Sequence, residues 1–187
     1  HIGFRVYNSG VKVRTFTGKD ISGYAKDLEK VIRVFRNPDE ILISNKSKIQ
    51  HKEIHVTSGT GIELFNVNGP GAIEYFSVKI KAKDIETALR RSILNIYFDN
   101  SSVPQVQAPA GDFFGAAPGL NPFKSLPFSV ETDGTMICRF IMPFNHSVKI
   151  EIENYSSENI DITGDLRTND FRWEEGKTMH FRTRWKM

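Results

Sequence analysis

From about residue 40 onward the chain repeats one pattern. Short runs of apolar and β-branched residues alternate with polar ones and are separated by clusters of Gly, Pro, Asn and Asp. A period of two marks strands with one buried face. The pattern predicts strands at 41–44, 52–57, 61–67, 72–79, 92–98, 105–108, 128–130, 135–142, 148–154, 160–163 and 179–185. Turn chemistry punctuates them at Asn68-Gly69-Pro70-Gly71, Asp99-Asn100, Pro118-Gly119, Asn121-Pro122 and Asp133-Gly134. Strands at roughly 8–12-residue spacing indicate a sandwich or barrel rather than a parallel sheet.

Before residue 40 the pattern differs. Val11-Lys12-Val13-Arg14-Thr15-Phe16 alternates as a half-buried strand does, and Tyr24, Leu28, Val31, Ile32 and Phe35 then recur at helical spacing. With Asp20 as a cap and Pro38 beyond the end, this predicts a helix over about 21–36; a strand at 30–35 is the alternative, since Val31 and Ile32 are β-branched. A second short helix is expected at 82–91, where Ile85, Ala88 and Leu89 share a face. The expected organisation is an N-terminal arm over 1–57, with the helix and first strands, followed by an all-β domain over 58–187.

Composition narrows the chemistry. The 187 residues suffice for one large domain or one domain with an arm. Lys and Arg number 25 against 22 Asp and Glu, too even a balance to mark a nucleic-acid partner, and none is expected. No apolar run reaches the ~18 residues of a membrane helix, so no membrane partner is expected. The single cysteine, Cys138, excludes an intrachain disulfide and sits in an apolar run as a small core residue. The 14 Phe suit a sandwich core, because Phe buries a large area without needing a hydrogen-bond partner.

Glu151 and Glu153 share one strand face, an arrangement open to acid–base chemistry but read here as an outer sheet face. His51 and His55 lie four apart in a strand-like context with no third ligand in view, so no metal and no cofactor is expected. In the tail, Phe171, Trp173, Phe181 and Trp185 interleave with Arg167, Arg172, Lys177, Arg182 and Arg184. Such a mixture stacks on sugars or bases, or forms a last strand with His180, Arg182 and Arg184 on the outer face. Residues 108–123 are too rich in Gly and Pro for regular structure and too aromatic for a solvated linker, so the loop is expected to be ordered around its own Phe side chains. Asp112 within it either binds a substrate hydroxyl or caps a turn.

Several of these segments together resemble glycoside hydrolase family 172. Gly69-Pro70-Gly71-Ala72-Ile73 is similar to that family's G-P-G-A-I motif, and Leu94-Asn95-Ile96-Tyr97-Phe98-Asp99 to its L-x-I-Y-x-D strand. Val103-Pro104 through Gly111-Asp112-Phe113-Phe114-Gly115 looks like its G-D-F-F-G loop. Ser125-Leu126-Pro127-Phe128, Met142-Pro143-Phe144, Glu153-Asn154 and Met179 to Trp185 continue the likeness over about residues 58–187.

The resemblance implies a jelly roll and assembly as a homo-oligomer (a trimer or a multiple of one), so the expected fold is an all-β jelly-roll β-sandwich with one or two short helices, and the aromatic loop and tail add a candidate glycan ligand. The resemblance also implies retaining cleavage of α-linked fructofuranosides or arabinofuranosides by two glutamates in motifs like G-E-G-D-E and G-T-x-T-E-D. Neither motif occurs in this sequence. The expectation is therefore a first jelly roll whose catalysis needs a second half or partner, or else a non-catalytic carbohydrate-binding or assembly module. No catalytic residue is assigned. Asp112, Phe114, Trp173 and Arg184 are the candidate substrate-binding residues.

Overall fold

The computed structural model describes residues 6–42, 44 and 46–185. Three helices come first: α1 (Gly18–Gly23), α2 (Ala25–Arg36) and α3 (Pro38–Leu42). Then follow β1 (Lys48–Val56), β2 (Gly61–Asn68), β3 (Gly71–Lys81), α4 (Ile85–Arg91), β4 (Ser92–Phe98), β5 (Val106–Pro109) and α5 (Ala110–Phe114). The chain continues through β6 (Phe123–Lys124), β7 (Phe128–Val130), β8 (Met136–Cys138), β9 (Met142–Phe144), β10 (Ser147–Asn154), β11 (Ile160–Asn169) and β12 (Thr183–Arg184).

The strands form two sheets, one ordered β1-β11-β3-β8-β7-β6 with β9 also on β3, the other β12-β5-β4-β10-β2. β1 pairs with β11, β2 with β10, β3 with β8 and β9, and β4 with β5, all antiparallel. The chain is thus a long hairpin of nested pairs, rolled so that successive pairs fall in opposite sheets. That is the jelly-roll arrangement of an all-β sandwich. Inward residues of both sheets fill one core, with Leu64, Phe65, Ile73, Phe76, Leu94, Ile96, Phe98, Phe144, Ile150 and Leu166 fully or almost fully buried.

Several elements differ from expectation for identifiable reasons. The 21–36 helix is two helices broken at Tyr24 (φ −114°, ψ 20°). Asp20 lies inside the first of them, and its carboxylate reaches back to accept from the Thr17 backbone N–H and hydroxyl. In place of the strand at 41–44, α3 runs through Leu42, favoured by Pro38 in its first turn with Asp39 and Glu40 beside it; residue 43 lies outside the described residues. The 135–142 strand is interrupted: β3 advances from Phe76 to Ile73 while the partner strand goes from Cys138 to Met142. The extra residue lets the Arg139 side chain turn inside, where it meets Asp39 of α3. Of the last predicted strand only Thr183 and Arg184 pair, parallel to β5.

Candidate functional site

The loop that follows β5 folds into α5, a helix too short to stand alone. It is held by close packing. Gly111 approaches α4 so nearly that an added Cβ would lie 2.9 Å from Leu89 Cβ, and Gly115 (φ 74°) ends the helix in the left-handed conformation. Phe114 has 0% exposure, with ring centroids 5.6 Å from Phe76 and 4.9 Å from Phe113. Expected to contact substrate, Phe114 instead serves the core and presents nothing to a ligand.

Asp112 faces the other way. Its two carboxylate oxygens accept from Arg90 Nη1, in the last turn of α4, at 2.6 and 2.5 Å. The Arg90 guanidinium lies 5.6 Å from the centre of the Trp185 ring. Beside this trio four Phe rings form a closed circuit. Phe113–Phe128 are 5.8 Å apart, Phe128–Phe140 5.3 Å, Phe140–Phe181 5.2 Å and Phe181–Phe113 6.5 Å. Asp112, the four Phe, Arg184 and Trp185 line a groove of about 250 Å³. An aromatic floor with a carboxylate and guanidinia at its rim suits a ligand having an apolar ring face and a hydroxylated edge. Asp112 and Arg184 are thus brought together. Phe181 and Trp185, both signalled by the aromatic tail, complete the groove, and Arg90, signalled by nothing local, holds Asp112 at its edge.

Trp173 stands apart in a second cluster. Its ring lies 4.8 Å from that of His180, which stacks flat on Phe98 at 5.3 Å. His180 Nε2 is 2.8 Å from Asp99 Oδ2. His180 is therefore a packed, partnered side chain and not part of a solvated outer face. Its place brings Phe181, the next residue, into the groove.

Other candidates have structural partners. His51 and His55 each lie 2.7 Å from a carboxylate of β11, Asp165 and Asp161 respectively. The Asp165 hydrogen bond raises the His51 pKa above its ordinary value. Among the described residues no three His, Cys, Asp or Glu gather as a metal would require. Cys138 is fully buried, and burial pushes its thiol up to about 12, which leaves it protonated and unreactive at neutral pH. Glu151 pairs with Lys149 at 2.7 Å, and Glu153 accepts from Asn95 at 3.1 Å. No helix of the described residues is long and apolar enough to cross a membrane.

Comparison with known proteins gives one family: that described as GH172 domain-like matches residues 46–164. The matched span runs from just before β1 into β11 and includes Asp112 and Arg90, but stops short of Trp173, Phe181, Arg184 and Trp185. No curated protein matches the chain. Among solved structures, the chain is similar to PliG of Aeromonas hydrophila, a periplasmic lysozyme inhibitor of g-type lysozyme. The identity is 11% and the TM-score 0.35, over 69% of this chain and 93% of that one.

Proposed function

The chain belongs to the GH172 domain-like family, and from that premise we propose that this glycoside-hydrolase-related sandwich binds the furanoside end of a glycan in the groove beside α5. The observation that carries the reading is the Asp112–Arg90 pair with Trp185 against it, set at the edge of a four-Phe floor. A furanose ring lies on the aromatic floor, and its hydroxyls reach Asp112 and Arg184. Turnover is assigned to carboxylates outside residues 1–187. The glutamate motifs implied by the family likeness are missing from this sequence, and Asp112, Glu151 and Glu153 are occupied by Arg90, Lys149 and Asn95.

Calorimetric titration with α-linked fructofuranosides and arabinofuranosides tests this. Binding is expected without hydrolysis, and Trp185→Ala or Asp112→Asn weakens it about tenfold, the value of one good stacking or charged contact. An unbound wild type rejects the groove as a glycan site. Hydrolysis with retention by this chain rejects the assignment of catalysis elsewhere.

A second reading, assembly, is favoured by α2. Tyr24, Leu28, Val31, Ile32 and Phe35 are all exposed and α2 buries no residue. Leu28, Val31 and Phe35 recur at three-four spacing along α2, the seam that interlocks with another copy of itself about a two-fold axis. A 12-residue helix is marginal alone and gains by such pairing. The occupant of this stripe is a second copy of the chain. Light scattering is expected to give a mass above the monomer, reduced to the monomer by Leu28→Lys with Phe35→Lys; a monomeric wild type overturns the reading.

A further inference from the structure

The outer face of the five-stranded sheet continues the groove. Register sets Arg184, Gln107, Asn95, Glu151 and Glu63 side by side, one from each of β12, β5, β4, β10 and β2. Tyr97, Lys149 and Asn66 form the neighbouring row. At an inter-strand spacing of about 4.8 Å the five-residue row is roughly 19 Å long, well beyond one sugar ring.

These side chains hold one another in place. Gln107 Nε2 donates to Asn95 Oδ1 at 3.1 Å, and Asn95 Nδ2 to Glu153 Oε2 at 3.1 Å. Asn66 Nδ2 donates to Glu63 at 3.0 Å, and Lys149, paired with Glu151, lies 4.4 Å from the Tyr97 ring centre. Asn95 is only 1% exposed although it points away from the core, so it is the buried tie of the row, while Gln107, Glu63, Asn66 and Arg184 around it stay exposed to a ligand. Planar amides and carboxylates with fixed partners keep further donors and acceptors for a ligand without an ordering cost. The face also has a hollow. Asn66, Tyr97, Asn100, Ser101, Ser147 and Lys149 enclose about 270 Å³.

Charge selects the ligand class. Arg184 and Lys149 are set against Glu63, Glu151 and Glu153, so among these described residues of the face carboxylates outnumber cations and do not favour phosphate or sulfate. Neutral hydroxyls, which both donate and accept, match it. Arg184 lines the groove and also stands first in the row, which makes the two surfaces continuous.

We propose that the row extends the groove into a path for a neutral oligosaccharide crossing the five strands, so that the ligand is a chain of several units and not a single furanoside. This rests on the groove reading. The test is titration of the full chain with fructo- and arabino-oligosaccharides from the monosaccharide to the hexasaccharide, with thermal melts confirming that each variant is folded. Affinity is expected to rise with length. Gln107→Ala and Tyr97→Ala each weaken hexasaccharide binding about three- to tenfold, as loss of one contact does, and leave the monosaccharide unaffected. Length-independent binding, or hexasaccharide affinity unmoved in both variants, overturns the path. If Trp185→Ala then still weakens every length, the groove reading survives it; if no probe binds the wild type, both fall.

Discussion

Phe114→Ala lowers the unfolding free energy by about 3–5 kcal/mol, measured by urea denaturation at neutral pH. The ring is fully buried, and it packs against Phe76 on β3 as well as its neighbour Phe113. Truncation removes the transfer free energy of the ring and leaves a cavity that the facing sheets cannot close without losing register. The position also determines whether α5 exists. Five residues do not nucleate a helix in isolation; α5 is held by Phe113, Phe114 and the close approach of Gly111 to Leu89. Its loosening releases Asp112 from Arg90, so the proposed furanoside binding is expected to fall with stability although Phe114 does not line the groove. The control is Phe140→Ala. That ring is 39% exposed, so its loss is expected to cost about 1 kcal/mol while still weakening the groove floor. Equal destabilisation by the two substitutions would contradict the packing described here.

The difference between these two Phe residues was not visible in the sequence. Both belong to apolar stretches, and only the turn of α5 decides that Phe114 goes in while Asp112 goes out. The strands were more legible. In β4 and β10 one face is buried, so Leu94, Ile96 and Phe98, like Val148, Ile150 and Ile152, advertise the period of two. β11 shows where that signal fails. It continues inward with Gly164, Leu166 and Thr168, of which only Leu166 is apolar, and so the alternating pattern stops at 163 while the strand runs to Asn169. Gly164 is there because Leu64 and Phe65 lie against it: an added Cβ would meet each at 3.2 Å. For the groove, Asp112 was legible from its Gly-Asp-Phe-Phe setting. Its partner Arg90 was not, because a helix-surface Arg 22 residues away has no sequence mark that tells which carboxylate it will find. His180 does not take the outer-face position that strand alternation predicts, because the strand begins only at Thr183.

Asp99→Ala is expected to cost about 3 kcal/mol and to free the tail. Asp99 and Asn100 both have positive φ (55° and 59°), and the Ser101 N–H returns to the Phe98 carbonyl at 3.2 Å, closing a type I′ turn after β4. The Asp99 side chain does more than permit the turn. Its Oδ1 accepts from the backbone N–H groups of Asn145, His146 and Ser147 at 2.9, 2.6 and 3.1 Å, and its Oδ2 meets His180. One carboxylate thus joins the β4 turn, the β9–β10 turn and the tail that carries Phe181, Arg184 and Trp185. Burial works to raise its pKa, but the donors of His146, Ser147, His180 and Asn145 outweigh it, so the pKa lies below the ordinary value. The stabilisation is therefore complete above the unfolded-state pKa of about 3.9 and is lost as pH falls through the lower folded-state value. Asp99→Asn isolates this charge effect, since Asn also tolerates the left-handed conformation. Its destabilisation should be large at neutral pH and should fade in acid, where the wild-type carboxyl is itself protonated. A gap between wild type and Asp99→Asn that stays constant across that range would show that geometry, and not the carboxylate charge, holds the three segments together. In either variant the release of His180 is expected to expose the chain around Trp173 and Phe181 to limited proteolysis and to weaken the proposed furanoside binding, because the Asp99 contact to His180 is one of the ties that seat the neighbouring Phe181 in the groove.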